Sequence, residues 1–479
     1  MKILLIKSER LTETDRWVAS PLGVLYLAQA ARAAGHDARI MDLRVLRGDE
    51  VKPALDAAIA WKPDFVGFGA HSHQAATVRQ VAGYIRKRLP DAFLAAGGPL
   101  ATANTDYVLD QTTVDACVLG EGEETFAQLL AALSNGADWR VLPGLAHARD
   151  GLKTINPPAP PIDPLDRLPQ PAWDLIDFKR YDKYLSISLR LGRRACVQTS
   201  RGCPYACIYC QHYFGNRFRG RTPAHVLEEI DILHYRYGIP RIGILDDIFN
   251  ADRRRAESIL EQIRDGYPGL KISFPNAVRG DLLDEPFIRL LSEARCEWMP
   301  IAVESGSPRV QKMIRKNLDF KKILEASKLL DRYGIASFAC FMVGFPTETP
   351  AEREETFAMA RRFKGQVPVF SLVTPYPGTA LWDMAHPDGA SANPETIDGA
   401  YGYRFHDDEA GALVERTLKI SRKGFLQPRY WYVIRDELAW RLTSQWPILL
   451  MKILSMVAPM GWKRRLIRRI NRRLDLCLE

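Results

Sequence analysis

Three cysteines stand within eight positions, Cys203, Cys207 and Cys210 of the stretch RGCPYACIYCQHYFG, in a chain with only 8 cysteines. Two metal chemistries fit the C-x3-C-x2-C spacing. Three thiolates on one tight loop can hold three corners of an iron–sulfur cube, since thiolate is the usual ligand of such clusters. No fourth cysteine lies nearby, so one iron would stay open to a small molecule, as a position does at catalytic metals generally. The alternative is a Cys3His zinc site completed by His212. Against it stand the aromatic Tyr209 beside the last cysteine and the place of the loop, directly after a strand that opens a β/α alternation. A disulfide is not expected. The start MKILLIKSER has no signal-peptide core or cleavage site and reads as a first strand, so a reducing cytoplasm is the expected compartment.

The elements that would carry this loop run from about residue 190 to 385. ACVQT, RIGILD, ISFPNAV, MPIAVE, ASFACFMVG and VFSLVTP read as strands, with helices between them; Thr222-Pro223 makes a good cap and first turn for one helix. Six such units predict a partial (β/α)6, TIM-like barrel with its chemistry at the carboxyl ends of the strands.

Residues 1–145 show another alternation: KILLI, ARIMDL, DFVGFGA, AFLAAGG and DACVLG are separated by amphipathic helical stretches. Five interleaved strands predict a doubly wound, Rossmann-like parallel sheet, whose ligands bind outside the carboxyl ends of the strands. The loops there are SPLG, AHSHQ, GGPLAT and GEGEE, rich in glycines that permit close backbone approach and in hydroxyls that can bond a ligand. Glycine and serine also simply make loops, and no G-x-G-x-x-G follows the first strand, which weakens the case for a dinucleotide.

Between the two alternations, NPPAPPIDPLDRLPQP holds seven prolines and reads as an extended strap, giving domains of 1–145 and 181–390 joined by a linker of 146–180. Residues 391–479 are expected to form a mainly helical region with a basic tail. Composition, with 47% hydrophobic and 26% charged residues, is that of a globular protein. The net charge of +9 is a property of the tail: Lys463, Arg464, Arg465, Arg468, Arg469, Arg472 and Arg473 supply seven positives, and without them the balance is +2. Nucleic acid is therefore not an expected partner. Two readings of the tail stand: an interfacial helix at the inner membrane face, or a packing helix with a solvated basic side. QWPILLMKILSMVAPMGW is too short and too broken to span a bilayer.

The cysteine loop with its preceding QTSRGCPYACIYC resembles the signature of radical S-adenosylmethionine (SAM) enzymes, and more narrowly of those with an N-terminal cobalamin-binding domain. The similarity extends over most of the chain. PLGVLYLAQAARAAGHDARIMD, GGPLAT and VLGEGEETFAQLL look like that family's cobalamin domain, and LPQPAWDLID like its linker. ILDDIFNAD, VRGDLL, AVESGSPRVQKMIRKN, MVGFPTET and TPYPGTALW look like its later strand ends.

The resemblance implies a 4Fe–4S cluster on Cys203, Cys207 and Cys210 that binds SAM at its open iron and releases a 5′-deoxyadenosyl radical. It implies SAM contacts from Tyr209, Asp246, Asp247, Arg279, Glu304 and Ser305. Arg279 would pair with the ligand carboxylate through its rigid fork, and Glu304 and Ser305 suit ribose hydroxyls; a salt bridge across the barrel mouth is the alternative for each charged residue. Cobalamin contacts are implied for Leu22 and Gly23 in the first loop and for Ser72 and His73 in the second. Gly97, Gly98 and Thr102 would serve in the third loop, and Gly120, Glu121 and Gly122 in the fourth. Two departures bear on this domain: the D-x-H-x-x-G motif that supplies a lower cobalt ligand elsewhere is absent, and Leu100 stands where relatives often carry histidine. Methylthiotransferases need three further cluster cysteines in the N-terminal domain, where this chain has only Cys117.

The expected function is a cobalamin-dependent radical SAM methyltransferase acting on an unactivated carbon. A hydrogen atom would go to the deoxyadenosyl radical and a methyl group would come from methylcobalamin. The alternatives are an oxidative cyclase or rearrangement enzyme with the same cofactors and, in a different class, a catalytically silent cobalamin-binding sensor. The expected partners are a small-molecule substrate, with a hydrophobic, polycyclic or lipid-like body suggested by the tail, and an external one-electron reductant such as flavodoxin or ferredoxin.

Overall fold

The computed structural model describes residues 1–8, 18–46, 48–184, 190–276, 278–388 and 393–396, with scattered positions between 416 and 439. The basic tail, most of the expected C-terminal helical region and the expected membrane contact lie outside the described residues. Among the described residues no helix is long and apolar enough to cross a membrane.

The N-terminal unit is built on a seven-stranded sheet of order β2-β1-β3-β4-β5-β6-β7. Its first five strands are β1 (Lys2–Lys7), β2 (Asp37–Asp42), β3 (Phe65–Gly69), β4 (Phe93–Gly97) and β5 (Ala116–Val118), all parallel. In KILLI every apolar side chain is buried because helices cover both faces of a parallel sheet. Leu4, Ile6, Val66 and Phe68 join one core, with Val51, Val78 and Val81 of the helices. Ile3, Leu5 and Phe65 join the other, with Val24, Ala28 and Leu129. The sequence-predicted doubly wound sheet is present.

Residue 145, the expected last residue of the N-terminal domain before the linker, is instead the first residue of a strand. β6 (Leu145–Arg149) pairs antiparallel with β5, and β7 (Leu152–Ile155) pairs antiparallel with β6. This edge hairpin escaped the apolar pattern because every residue of β7 is exposed. Its turn, Asp150-Gly151, has positive φ at both residues and is the usual chemistry of a two-residue hairpin loop. The proline strap is also more tightly held than a free linker. Pro161–Leu168 groups with the second unit and Pro169–Gly192 with the first. In the first unit Asp174 accepts from Arg32 at 2.8 Å and Tyr181 Oη donates to Asp42 at 2.8 Å.

The second unit contains a short antiparallel pair, β9 (Ser200–Arg201) with β10 (Arg219–Gly220), and a six-stranded sheet of order β15-β14-β13-β12-β11-β8. The six strands are β8 (Ala195–Val197), β11 (Arg241–Ile244), β12 (Lys271–Ser273), β13 (Cys296–Glu304), β14 (Ala336–Val343) and β15 (Val367–Leu372). All run parallel in chain order with β8 and β15 as edges, which is the partial barrel the sequence predicted. Helices cover the outside. Thr222 caps the first of them, Pro223–Asp231, accepting from His225 N–H at 3.3 Å, as expected from Thr-Pro. Outside β14 and β15, Phe370 stacks on Phe341 and packs at a tilt against Phe357. Strand alternation therefore turns Cys340, Met342 and Val369 inward.

Candidate functional site

The cysteine loop is the closed end of the β9–β10 hairpin. Asp246, at the end of β11, builds its base. One carboxylate oxygen accepts from Thr199 N–H at 2.6 Å; the other accepts from the Thr199 hydroxyl at 2.5 Å and the Ser200 hydroxyl at 2.6 Å. The carboxylate is buried and fully engaged, so Asp246 positions the strand that leads into the loop. Arg255 adds bonds to the carbonyls of Arg221 (2.7 Å) and Thr199, the latter very short.

Gly202 opens the loop at φ +81, and a Cβ there would lie 2.2 Å from the Arg217 carbonyl oxygen. Only glycine permits that approach. Its N–H donates to Asp247 at 3.0 Å, and Cys203 N–H donates to the Gly215 carbonyl at 3.3 Å. Midway, Ile208 pins the loop to the barrel: its N–H donates to Ile314 at 3.2 Å, its carbonyl accepts from Leu381 at 2.9 Å, and its side chain packs with Val310 and Phe345.

None of the three thiols is in a disulfide. Cys210 keeps contact with solvent, yet desolvation by the surrounding protein pushes its thiol up to about 12; desolvation also raises Cys203. Both thiols feel each other, Cys207 and the nearby Asp247, and such crowded neutral thiols lose their protons when metal binds. Among the described residues no set of three His, Cys, Asp or Glu stands ready for a single metal ion. A four-iron cube makes a different demand, three thiolates spread over separate corners, and a loop with three electrostatically coupled, unbridged thiols fits it.

Around the loop the structure gathers most of the expected residues. Tyr209 Oη donates to Glu304 Oε1 at 3.2 Å, and burial, with the Glu304 charge, holds its phenol protonated. Asp247 is exposed, a carboxylate of the kind an ammonium needs, and desolvation, then the Asp246 charge, raises its carboxyl against the Gly202 bond. The Arg279 guanidinium lies 3.8 Å over the Tyr205 ring, and its fork is partly taken by Asp281 at 2.9 Å. Glu304 ends β13 at φ +68, a left-handed conformation costing about 1–3 kcal/mol for such a residue, and also pairs with Lys316 at 2.6 Å. Ser305 is not brought to the site. It is fully buried, its hydroxyl 3.1 Å from Thr356 Oγ1 and accepting from Ser307 N–H at 3.1 Å. Tyr205, Gln311 and Lys316 were not assigned from the sequence, although all three lie within motifs that carried the resemblance.

In the N-terminal unit the four glycine- and serine-rich loops follow β1, β3, β4 and β5, with the switch of strand order between β1 and β3. Gly98, at φ +80, brings its loop within 3.1 Å of the Ala70 carbonyl, measured to a built Cβ, and Leu100 N–H donates to the same carbonyl at 2.9 Å. Thr102 Oγ1 accepts from Gly120 N–H at 3.0 Å, locking the third loop to the fourth. Leu22 and Gly23 begin the helix Leu22–Ala33, and Gly122 begins Gly122–Asn135 after Glu121. His73 is 3.1 Å from the Gln74 amide and stacks on His71 at 5.9 Å. Leu100 is buried in the core. Ser8, Ser72 and Asn104 each bury a side-chain oxygen with no hydrogen-bond partner among the described residues. Buried acceptors and donors are ordinarily satisfied, so orphans at the ligand end of a doubly wound sheet suit a polar ligand such as the corrin and its amide arms.

An open parallel barrel with three unbridged thiols at its first strand end, in one chain with a doubly wound ligand-binding sheet, defines a metal-cluster enzyme with a second large cofactor. The Radical SAM superfamily profile matches residues 197–360 and the B12 binding domain profile residues 13–130. An uncharacterised methyltransferase of Pyrococcus horikoshii is 34% identical over 396 residues, covering 80% of this chain and 83% of that protein. The anaerobic magnesium-protoporphyrin IX monomethyl ester cyclase of Rubrivivax gelatinosus is 28% identical, covering 76% of this chain and 65% of that one. The fold is that of the radical SAM methyltransferase TsrM from Kitasatospora setae, solved with cobalamin and a 4Fe–4S cluster, at a TM-score of 0.69 and 21% identity over 79% of this chain and 76% of that chain. The chain belongs to the cobalamin-binding radical SAM enzymes. Its cofactors are a 4Fe–4S cluster, SAM and cobalamin; its substrate is a small molecule, and an external reductant supplies the electron.

Proposed function

We infer that this chain is a cobalamin-dependent methyltransferase acting on an unactivated carbon. The observation that carries the reading is the 34% identity to a methyltransferase over 80% of the chain, joined to an intact three-thiol loop at the barrel mouth. Cys203, Cys207 and Cys210 would hold the cluster, and the loops after β1, β3, β4 and β5 the cobalamin. Bound there, SAM and cobalamin supply the radical and the methyl group. The chain's own residues bind, orient and keep water out. Asp247 offers its exposed carboxylate to the ligand ammonium, while Tyr209 and Glu304 brace the loop.

The substrate is proposed to have an apolar body. On the inward face of the barrel, register sets Ala302 beside Cys340 and Cys340 beside Val369, and these three, with Met342, are each partly open. A half-open row of small and apolar side chains inside a barrel favours an apolar ligand.

Cyclisation is the second reading, favoured by the 28% identity to the Rubrivivax gelatinosus cyclase. Product analysis separates the two. The chain is reconstituted anaerobically with iron, sulfide and cobalamin, and incubated with reductant, SAM and candidate apolar substrates. Methyl transfer yields S-adenosylhomocysteine and 5′-deoxyadenosine together; a cyclase yields the latter alone. Protein that cleaves no SAM with any reductant would favour the silent sensor.

A further inference from the structure

Tyr205 and Tyr209 flank Cys207 in the cluster loop, and one residue outside the loop reaches both. The Lys316 ammonium lies 2.6 Å from Glu304 Oε1 and 6.0 Å from the centre of the Tyr209 ring. Glu304 in turn accepts from the Tyr209 hydroxyl. The Lys316 carbonyl accepts at 3.0 Å from Arg279, whose guanidinium covers Tyr205. Lys316 also lies within electrostatic reach of Cys210.

The backbone that delivers this lysine is strained. Arg315 and Asn317 on either side of it have φ of +57 and +48, and its partner Glu304 has φ +68. A single buried glutamine ties down the backbone around them. Gln311 Nε2 donates at 2.7 Å to the carbonyls of Val303 and Ser305, on the two sides of Glu304. Its backbone carbonyl accepts from Lys316 N–H at 3.1 Å and Asn317 N–H at 3.4 Å, and its side-chain oxygen accepts from Leu318 N–H at 3.4 Å. Left-handed non-glycine residues persist only where the surroundings over-determine them, and they gather at functional sites. Packing alone is a poor reason for the arrangement, because a buried ion pair gives weak net stability once its desolvation is counted.

We propose that Lys316 is a positioning residue for the cluster loop, clamping it through Glu304–Tyr209 and Arg279–Tyr205, and that its ammonium raises the reduction potential of the cluster. Cluster potentials respond to nearby charge. A cation beside the loop favours the state with the extra electron, and a carboxylate opposes it. The inference rests on the cluster at Cys203, Cys207 and Cys210 and is independent of whether the product is methylated.

The test uses the full chain, reconstituted anaerobically with iron and sulfide, in the wild type and in K316M, K316R and E304Q. Iron content is measured first, and the cluster potential is then read by redox titration of its electron paramagnetic resonance signal without substrate. K316M is expected to load iron and shift the potential negative, K316R to return the wild-type value, and E304Q to shift it positive. A structural role alone would not produce shifts of opposite sign. Unshifted potentials, or K316M and E304Q moving the same way, overturn the proposal. If K316M takes up no iron, the other two variants decide: a positive shift in E304Q with a wild-type value in K316R supports it, and no shift in E304Q overturns it. Loss of methyl transfer in the product assay leaves these readings unaffected.

Discussion

Ser72 buries its hydroxyl after β3 with no partner among the described residues, and Ser8 does the same at the end of β1. An unpaired buried hydroxyl has a cost in the free protein, of about 1–3 kcal/mol, that a ligand acceptor or donor would relieve. Ser72→Ala should therefore leave the cobalamin-free chain as stable as the wild type, or more so. It should also weaken cobalamin binding by about three- to tenfold, the worth of one net hydrogen bond. Thermal unfolding without cofactor and a cobalamin absorbance titration check both halves. A destabilised chain with unchanged affinity would mean that Ser72 serves the fold. The same scale separates two neighbours that look alike in sequence. Asp246 has its oxygens taken by Thr199 and Ser200, whereas Asp247 faces solvent beside the thiols.

At the scale of the element, the cluster loop depends on two glycines with different duties. Gly215, at φ +75, has nothing within 4 Å of a built Cβ, so Gly215→Ala meets only left-handed strain, about 1–2 kcal/mol. Gly202 adds a clash with the Arg217 carbonyl to its φ of +81. Gly202→Ala should lower the melting temperature more than Gly215→Ala and reduce iron uptake on reconstitution, because β9 and β10 can no longer close beneath the thiols. Iron analysis and calorimetry of the two variants test this, and equal effects would contradict it. The β6–β7 hairpin teaches the converse lesson. Its Asp-Gly turn was legible, but a fully exposed edge strand has no apolar alternation to read.

At the scale of the whole molecule, binding should appear as stability. A ligand held only by the folded state at 100 times its Kd contributes about 2.7 kcal/mol. Cobalamin at that excess should therefore raise the melting temperature of the unit that contains residues 18–160 by about 5–10 °C, using the usual 2–4 °C per kcal/mol for a body of this size. Scanning calorimetry with and without cobalamin measures it; no shift under saturating cofactor would contradict the assignment of the loops after β1, β3, β4 and β5. The chain's units are also less simply ordered than its sequence, since Pro161–Leu168 belongs with the barrel and Pro169–Gly192 with the N-terminal sheet.

Local pattern alone determined a great deal. Apolar runs of strand length between amphipathic stretches specified both parallel sheets, because a strand buried on both faces must be apolar throughout. The spacing of Cys203, Cys207 and Cys210 marked the loop proposed to hold the cluster, because the three thiols lie within eight positions of chain. Only the tertiary structure decided which acidic and basic side chains stay available. Asp246 and Asp247 differ by one position, Ser305 follows Glu304 directly, and Lys316 and Gln311 lay unremarked within a matched motif. Their roles are set by partners between 6 and 51 residues away along the chain, such as Thr356 for Ser305, Ser305 and Val303 for Gln311, and Glu304 for Lys316. Periodicity cannot encode such pairings, since hydrogen bonding and desolvation depend on what the fold brings within about 3 Å.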